Sequence, residues 1–194
     1  PRATVEAVYT QILTDLNKAI DLLKAATDEG VKRGDKRYID LATAYGLRAR
    51  VNLTMENWGD AADDAQAAID NSDATPYTIA QVSKPAFMDS KDNAWMWGIV
   101  IAETDRVVTS GIVNWPSHMG SLNYGYANFS GGHQINKALF NKIPATDVRK
   151  GWWIDENCFS PNLDETQLYY VQDYCGYRPY THVKFAPYNY EVDT

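Results

Sequence analysis

Apolar residues recur every three or four positions through the first seventy residues, and this spacing predicts three helices. Val5, Val8, Ile12, Leu16, Ala19 and Leu23 form an unbroken stripe that Tyr9, Leu13 and Ile20 widen, so residues 5–25 are expected to be helical. Thr4 is placed to cap that helix and Glu6 to favour its first turn. Gly30 and Gly34 punctuate the charged connector that follows. A second stripe runs through Leu41, Ala44, Leu47, Val51, Met55 and Trp58, with Arg48, Arg50, Asn52 and Glu56 off it. A third helix, 60–70, is expected to present Ala61, Ala65 and Ala68 with Ala62 and Ile69, and Asn57 with Asp60 is a variant of the capping box.

Alanines at the contact let two helix backbones approach closely, so the second and third helices are expected to form an antiparallel hairpin with Trp58 packed at its turn. A unit of this kind follows the tetratricopeptide pattern, whose repeat is roughly 34 residues. Ala61 and Ala68 match its two alanines, Ala49 stands where it prefers Gly, and Asp73 where it usually ends in Pro. One such unit cannot bury its own apolar face, so neighbouring helices must cover it.

Beyond Ser72 the periodicity changes. Thr75-Pro76 and Lys84-Pro85 interrupt helix, and the apolar run WMWGIVIA at 95–102 suits a buried strand, with Trp95 and Trp97 sharing a core-facing side. Residues 103–134 carry little apolar periodicity, and a loop this long inside a compact domain is functional or disordered; its aromatics argue against disorder. Residues 135–141 read as a short helix closed by Pro144. Thr181, Val183 and Phe185 alternate with Tyr180, His182 and Lys184 as in a half-buried strand. The expected class is therefore mainly α, with helical hairpins, long loops and a few short strands.

Charge narrows the partners. A net charge of −7 with no basic run argues against nucleic acid. No segment approaches the roughly 18 apolar residues of a spanning helix. Cys158 and Cys175 are compatible with an extracytoplasmic disulfide or with two unpaired thiols, and two sulfurs are too few for a structural metal site. His118, His133 and His182 lack metal-binding spacing, no serine lies in a GxSxG setting, and no cofactor motif is present. The adjacent acids Asp63/Asp64, Asp155/Glu156 and Asp164/Glu165 project apart and read as solvated surface carboxylates rather than a glycosidase pair. Asp147 and Arg149 are expected to tie a turn as an ion pair.

The sharpest candidate chemistry lies in the Gly- and Asn-rich stretch 111–134. A sugar ring presents an apolar C–H face that stacks on an aromatic plate and a rim of hydroxyls that needs amide and hydroxyl partners. Trp115, Tyr124 and Tyr126 supply plates, and Asn114, Ser117, His118, Asn123 and Asn128 supply polar groups along the same loop. The competing expectation is that these rings pin a long loop to its scaffold. Trp152 and Trp153 must split between faces if extended, so at most one is expected to serve as a plate. The tyrosines after Leu168 suit a second contact surface or a packed loop equally.

The segments DLNKAIDLL, ATAYGLRARVNLTMENWGDAADDAQAAI, YTI before Phe87, DNAWMWGI and INKALFNKIPATDVRKGWW, taken in this order and spacing, resemble the SusD/RagB family of outer-membrane glycan-binding lipoproteins. The Arg48/Arg50 helix before Leu53 and the Pro144-x-x-Asp147-x-Arg149 turn carry the resemblance most specifically. Family members are much longer, so the chain is expected to be a central segment lacking the lipid-bearing Cys. The resemblance implies a tetratricopeptide-like scaffold at 1–76 and a loop-rich, glycan-facing region of the same domain at 77–194. It implies non-catalytic binding of a carbohydrate on the extracellular face of the outer membrane, through a lipid anchor outside this segment, and a SusC-like TonB-dependent transporter as partner. The alternatives from other classes are a peptide-binding adaptor with structural loops and, third, a glycoside hydrolase.

Overall fold

The computed structural model describes residues 2–87, 89, 91–99, 118–122 and 132–186. It is mainly helical, and the extended segments among the described residues meet in isolated bridges rather than ladders. The chain divides into two compact units, Pro1–Pro76 with Ser90–Val100, and Tyr77–Asp89 with Ile101–Thr194.

The first unit is built on α1 (Val5–Asp28), α2 (Leu41–Thr54) and α3 (Trp58–Asp70). Thr4 caps α1, its hydroxyl accepting from the Ala7 amide at 3.1 Å, and Asp40 caps α2 by accepting from the Thr43 amide at 2.8 Å. Ile20, Leu41 and Ala44 form a small core, with Leu23 and Tyr45 against it. The stripe of α1 is covered from Tyr9 onward, whereas Val5 and Val8 are exposed. Length explains this: 24 residues of α1 span about 36 Å and the 14 of α2 only about 21 Å.

Arg48 and Asn52 of α2 both reach Asp64 of α3, while Gly46 lies against Ala68, so the two helices run antiparallel as expected. The contacting face of α3 is the expected one at Ala61 and Ala68 but not at the other three positions. Ala61, Asp64 and Ala68 are buried, and Ala62, Ala65 and Ile69 are exposed. Asp64, expected as a solvated acid, is 5% exposed because Arg48 grips both of its oxygens, at 2.8 and 2.5 Å, and Asn52 donates at 3.0 Å. Arg48 also donates to Asn17 at 2.7 Å, tying all three helices through one guanidinium. Asn57 makes no side-chain cap. Its side-chain amide donates to Asn52 instead, and Trp58, expected to pack at the turn, opens α3 and is 61% exposed.

Residues 92–98 close this unit through the connector before α2. The Lys36 ammonium donates to the Asp92 carbonyl, the Gly98 amide to the Lys36 carbonyl at 3.1 Å, and the Trp97 indole to the Arg37 carbonyl at 3.2 Å. Over 95–99 there is no regular strand, and Trp97 and Ile99 are exposed, which corrects the buried-strand expectation; the rest of that run, 100–102, lies outside the described residues. Each partner here is one backbone group of an irregular loop, so no ladder forms and alternation has no sheet to face.

The second unit contains short helices, α4 (Ile79–Val82), α5 (Lys137–Lys142) and α6 (Glu165–Tyr169), a 3₁₀ turn Val148–Trp152 and a π turn Tyr170–Tyr174. Thr78 with Gln81 and Asp164 with Gln167 form capping boxes. Its core is Leu122, Ile154, Leu163, Tyr170, Val171 and Val183. Cys158 and Cys175 pack against this core as free thiols, and the Cys158 thiol donates to the Tyr177 carbonyl at 3.2 Å. Asp147 and Arg149 are paired at 2.7 Å, as expected.

Candidate functional site

Extended residues 181–184, which follow a turn that ends at Tyr180 with φ of 69°, organise the site. Thr181 and Val183 point into the core, which leaves His182 and Lys184 on the other side, half-buried. Gln134 pairs antiparallel with Thr181 on one flank, and Trp153 pairs antiparallel with His182 on the other. The backbone bonds that fix this register run from the His182 amide to the His133 carbonyl, at 3.0 Å, and from the Val183 amide to the Trp152 carbonyl, at 2.6 Å. His133, His182 and Trp153 therefore fall in one row across three segments that are far apart in sequence.

Between them opens a cleft of about 560 Å³, within the range of about 300–1,000 Å³ typical of small-molecule sites. Ile135, Leu139 and Ile143 form its aliphatic wall, Trp152 and Trp153 an aromatic one, and His133, Gln134, His182 and Lys184 its polar groups. The two indoles lie 6.5 Å apart, centre to centre, with their planes at 51°. Both line the same cleft, which corrects the expectation that neighbouring tryptophans part. Trp152 ends the 3₁₀ turn rather than continuing an extended segment, so the alternation of a strand does not apply to it. Its indole N–H donates to the Val82 carbonyl at 2.8 Å, and its ring meets Phe87 edge-on at 6.1 Å. Trp152 is thus anchored and Trp153 is the freer plate.

The histidines are set by neighbouring carbonyls. Nε2 of His133 lies 2.6 Å from the His118 carbonyl and Nε2 of His182 lies 2.6 Å from the Met119 carbonyl. A carbonyl only accepts, so each Nε2 carries the proton, and Nδ1 is the acceptor of each neutral ring. Burial lowers the pKa of His182, reinforced by the neighbouring His133 and Lys184 and opposed by the bond to Met119. Lys184 places its ammonium 4.5 Å from the ring centres of Phe87 and of Trp152 and 5.1 Å from that of Phe185. Burial pulls its pKa down as well.

Among the described residues no cluster of three or more His, Cys, Asp or Glu could hold a metal ion. The Asp164 carboxylate caps α6 and Glu165 is exposed in that helix's first turn, so neither faces the cleft.

Of the residues expected to meet a ligand, Trp115, Tyr124, Tyr126, Asn114 and Asn128 lie outside the described residues. His118 is described and exposed; through its backbone it orients His133, and its side chain does not line the cleft. The residues that do line it come from three stretches that no spacing rule links. Two partial signals existed in the sequence: the alternation that put His182 and Lys184 on one side, and the Trp152-Trp153 pair. Against known proteins, no family model and no curated relative matches this chain.

Proposed function

We propose that the chain is a non-catalytic carbohydrate-binding segment whose sugar-facing surface includes the cleft between Trp153 and the His133/His182 pair. The observation that carries this reading is the composition of the cleft. A flat indole stands beside an aliphatic wall, and two fixed imidazole acceptors and an amide are set into it. Stacking takes the C–H face of a pyranose, and the acceptors and the Gln134 amide take its hydroxyls. Trp115, Tyr124 and Tyr126 belong to the same proposal as a second stacking surface.

The sequence resemblance extends the reading to a tetratricopeptide-like scaffold, an outer-membrane location and delivery of the glycan to a TonB-dependent transporter. A protein-binding role is the second reading, favoured by apolar side chains open to solvent in the helical unit, among them Val5, Trp58 and Ile69.

Glycan-array screening followed by calorimetric titration tests the proposal. Trp153→Ala is expected to lose about ten- to a hundredfold in affinity for the best array hit, by analogy with the ~1–3 kcal/mol lost when an aromatic stacking partner of a base is removed. Its melting temperature should move less than that of Trp152→Ala, whose indole is bonded into the unit. No reducing ends should be released during incubation. Absence of any sugar ligand, or full affinity in folded Trp153→Ala, would overturn the cleft assignment. Release of reducing ends would replace binding with hydrolysis.

A further inference from the structure

Lys184 is the polar residue of the cleft that a neutral sugar does not explain. Lys137 of the same unit is paired with Glu156 at 3.1 Å, Arg149 with Asp147 at 2.7 Å, and Lys150 donates to the Ile143 carbonyl at 3.0 Å. The Lys184 carbonyl accepts from the Ala86 amide at 3.0 Å, but its ammonium has no hydrogen-bond or ion-pair partner among the described residues. Three aromatic rings surround its ammonium at 4.5–5.1 Å, and it lines the cleft beside Trp152 and Trp153. Ring faces attract a cation but offer it no charge to neutralise. The chain carries 25 acidic residues against 18 basic ones, yet among the described residues no carboxylate lines this cleft.

The other polar groups are of a different kind. His133 and His182 spend their N–H on the carbonyls of His118 and Met119, so in neutral form they present acceptors, which match sugar hydroxyls and repel a carboxylate. An anion in the cleft is therefore directed to one place, the Lys184 ammonium, while the hydroxyl-bearing part of the same molecule is directed to the imidazoles. The lowered pKa of Lys184 agrees with a cation stripped of water and without a compensating anion.

We propose that this cleft selects an acidic sugar, a hexuronate whose carboxylate pairs with Lys184 while its ring stacks on Trp153 and its hydroxyls meet His133 and His182. The proposal rests on the carbohydrate-binding reading of the same cleft and adds the class of sugar to it.

The test pairs each acidic oligosaccharide with its own neutral counterpart. Short oligomers of galacturonate, mannuronate and glucuronate, and the same oligomers with every carboxyl reduced to a hydroxymethyl group, are titrated into the protein by calorimetry. At least one hexuronate oligomer should bind about tenfold or more tightly than its reduced form, a difference of ~1.4 kcal/mol. That preference should shrink as salt is raised. Lys184→Met keeps the aliphatic stem against Phe87 and Trp152 and removes the charge, so it should erase the preference by bringing the affinity for the acidic oligomer down to that for its reduced form. The comparison of sugars on the unaltered protein needs no variant and stands if Lys184→Met fails to fold.

Reduced oligomers that bind as well as the acidic ones, or a preference that survives in Lys184→Met, would overturn the proposal and leave the sugar cleft standing. If neither form binds, or Trp153→Ala alters neither, the sugar cleft falls and this proposal with it.

Discussion

In the helical unit the Arg48 guanidinium meets both oxygens of Asp64, whereas in the aromatic unit the Lys184 ammonium meets three ring faces and, among the described residues, no anion. Both cations are partly withdrawn from water, and their surroundings push their pKa in opposite directions. The hydrogen bonds that Asp64 accepts raise that of Arg48, and burial alone lowers that of Lys184. A charge whose partners all lie within the fold holds helices together. A charge left with only aromatic neighbours is available to something that arrives later. The difference separates the scaffold from the candidate site more cleanly than secondary structure does.

The largest expected effect tests the scaffold half of this contrast. Asp64→Ala leaves Arg48 and the buried Asn52 amide without their acceptor, and breaking such a contained pair from one side should cost on the order of 3 kcal/mol in chemical denaturation. Sugar affinity at the Trp153 cleft should be retained under conditions where the variant is folded. A loss below about 0.5 kcal/mol would mean that Asp64 is an ordinary surface acid and would remove the contrast.

A smaller effect belongs to the aromatic unit. Gly151 is buried in the turn before Trp152, and a Cβ there would lie 2.6 Å from the Asn162 amide nitrogen, which donates to the Val148 carbonyl. Gly151→Ala must displace Asn162 and is expected to destabilise by about 1–3 kcal/mol. It should also weaken sugar binding, because the turn aims both tryptophans; unchanged stability and affinity would show that the turn tolerates the shift.

The smallest effect concerns an exposed pair, and it sharpens what burial adds. Arg149 holds the Asp147 carboxyl down at about 2, first through its side-chain hydrogen bonds and then through its backbone amide. A folded-state pKa below the ordinary 3.8 means that the contribution is present above that value and is lost as pH falls from about 4 through about 2. Asp147→Asn should therefore lower stability slightly at neutral pH and not at all below about pH 2, which flattens the acid limb of the stability curve. An effect at pH 7 comparable to that of Asp64→Ala would contradict the distinction between exposed and buried pairs.

The helices of the first unit were legible because their signal is local. A period of three or four apolar residues, Thr4 as a cap and the antiparallel turn are decided within a few residues of chain. The same reading failed at Asp64, Ala65 and Trp58, where the question was which side of α3 another helix would cover. One turn of that helix offers both Ala61 with Asp64 and Ala62 with Ala65. The reach of Arg48 across from α2 selects the first pair, and a propensity or a moment on α3 alone carries no trace of it.

The sequence by itself determined the mainly helical class, the three first helices, the Asp147–Arg149 turn and the alternation that turned His182 and Lys184 away from the core. Only the tertiary structure decided that residues 133–135, 152–154 and 180–184 lie side by side, that both tryptophans face one cleft and that the Lys184 ammonium meets aromatic rings rather than an anion among the described residues. The physical reason is range. Periodicity and capping act over a turn of helix, whereas pairing and desolvation depend on backbone hydrogen bonds between residues far apart in sequence, such as His182 with His133 and Ala86 with Lys184, and no local pattern encodes them.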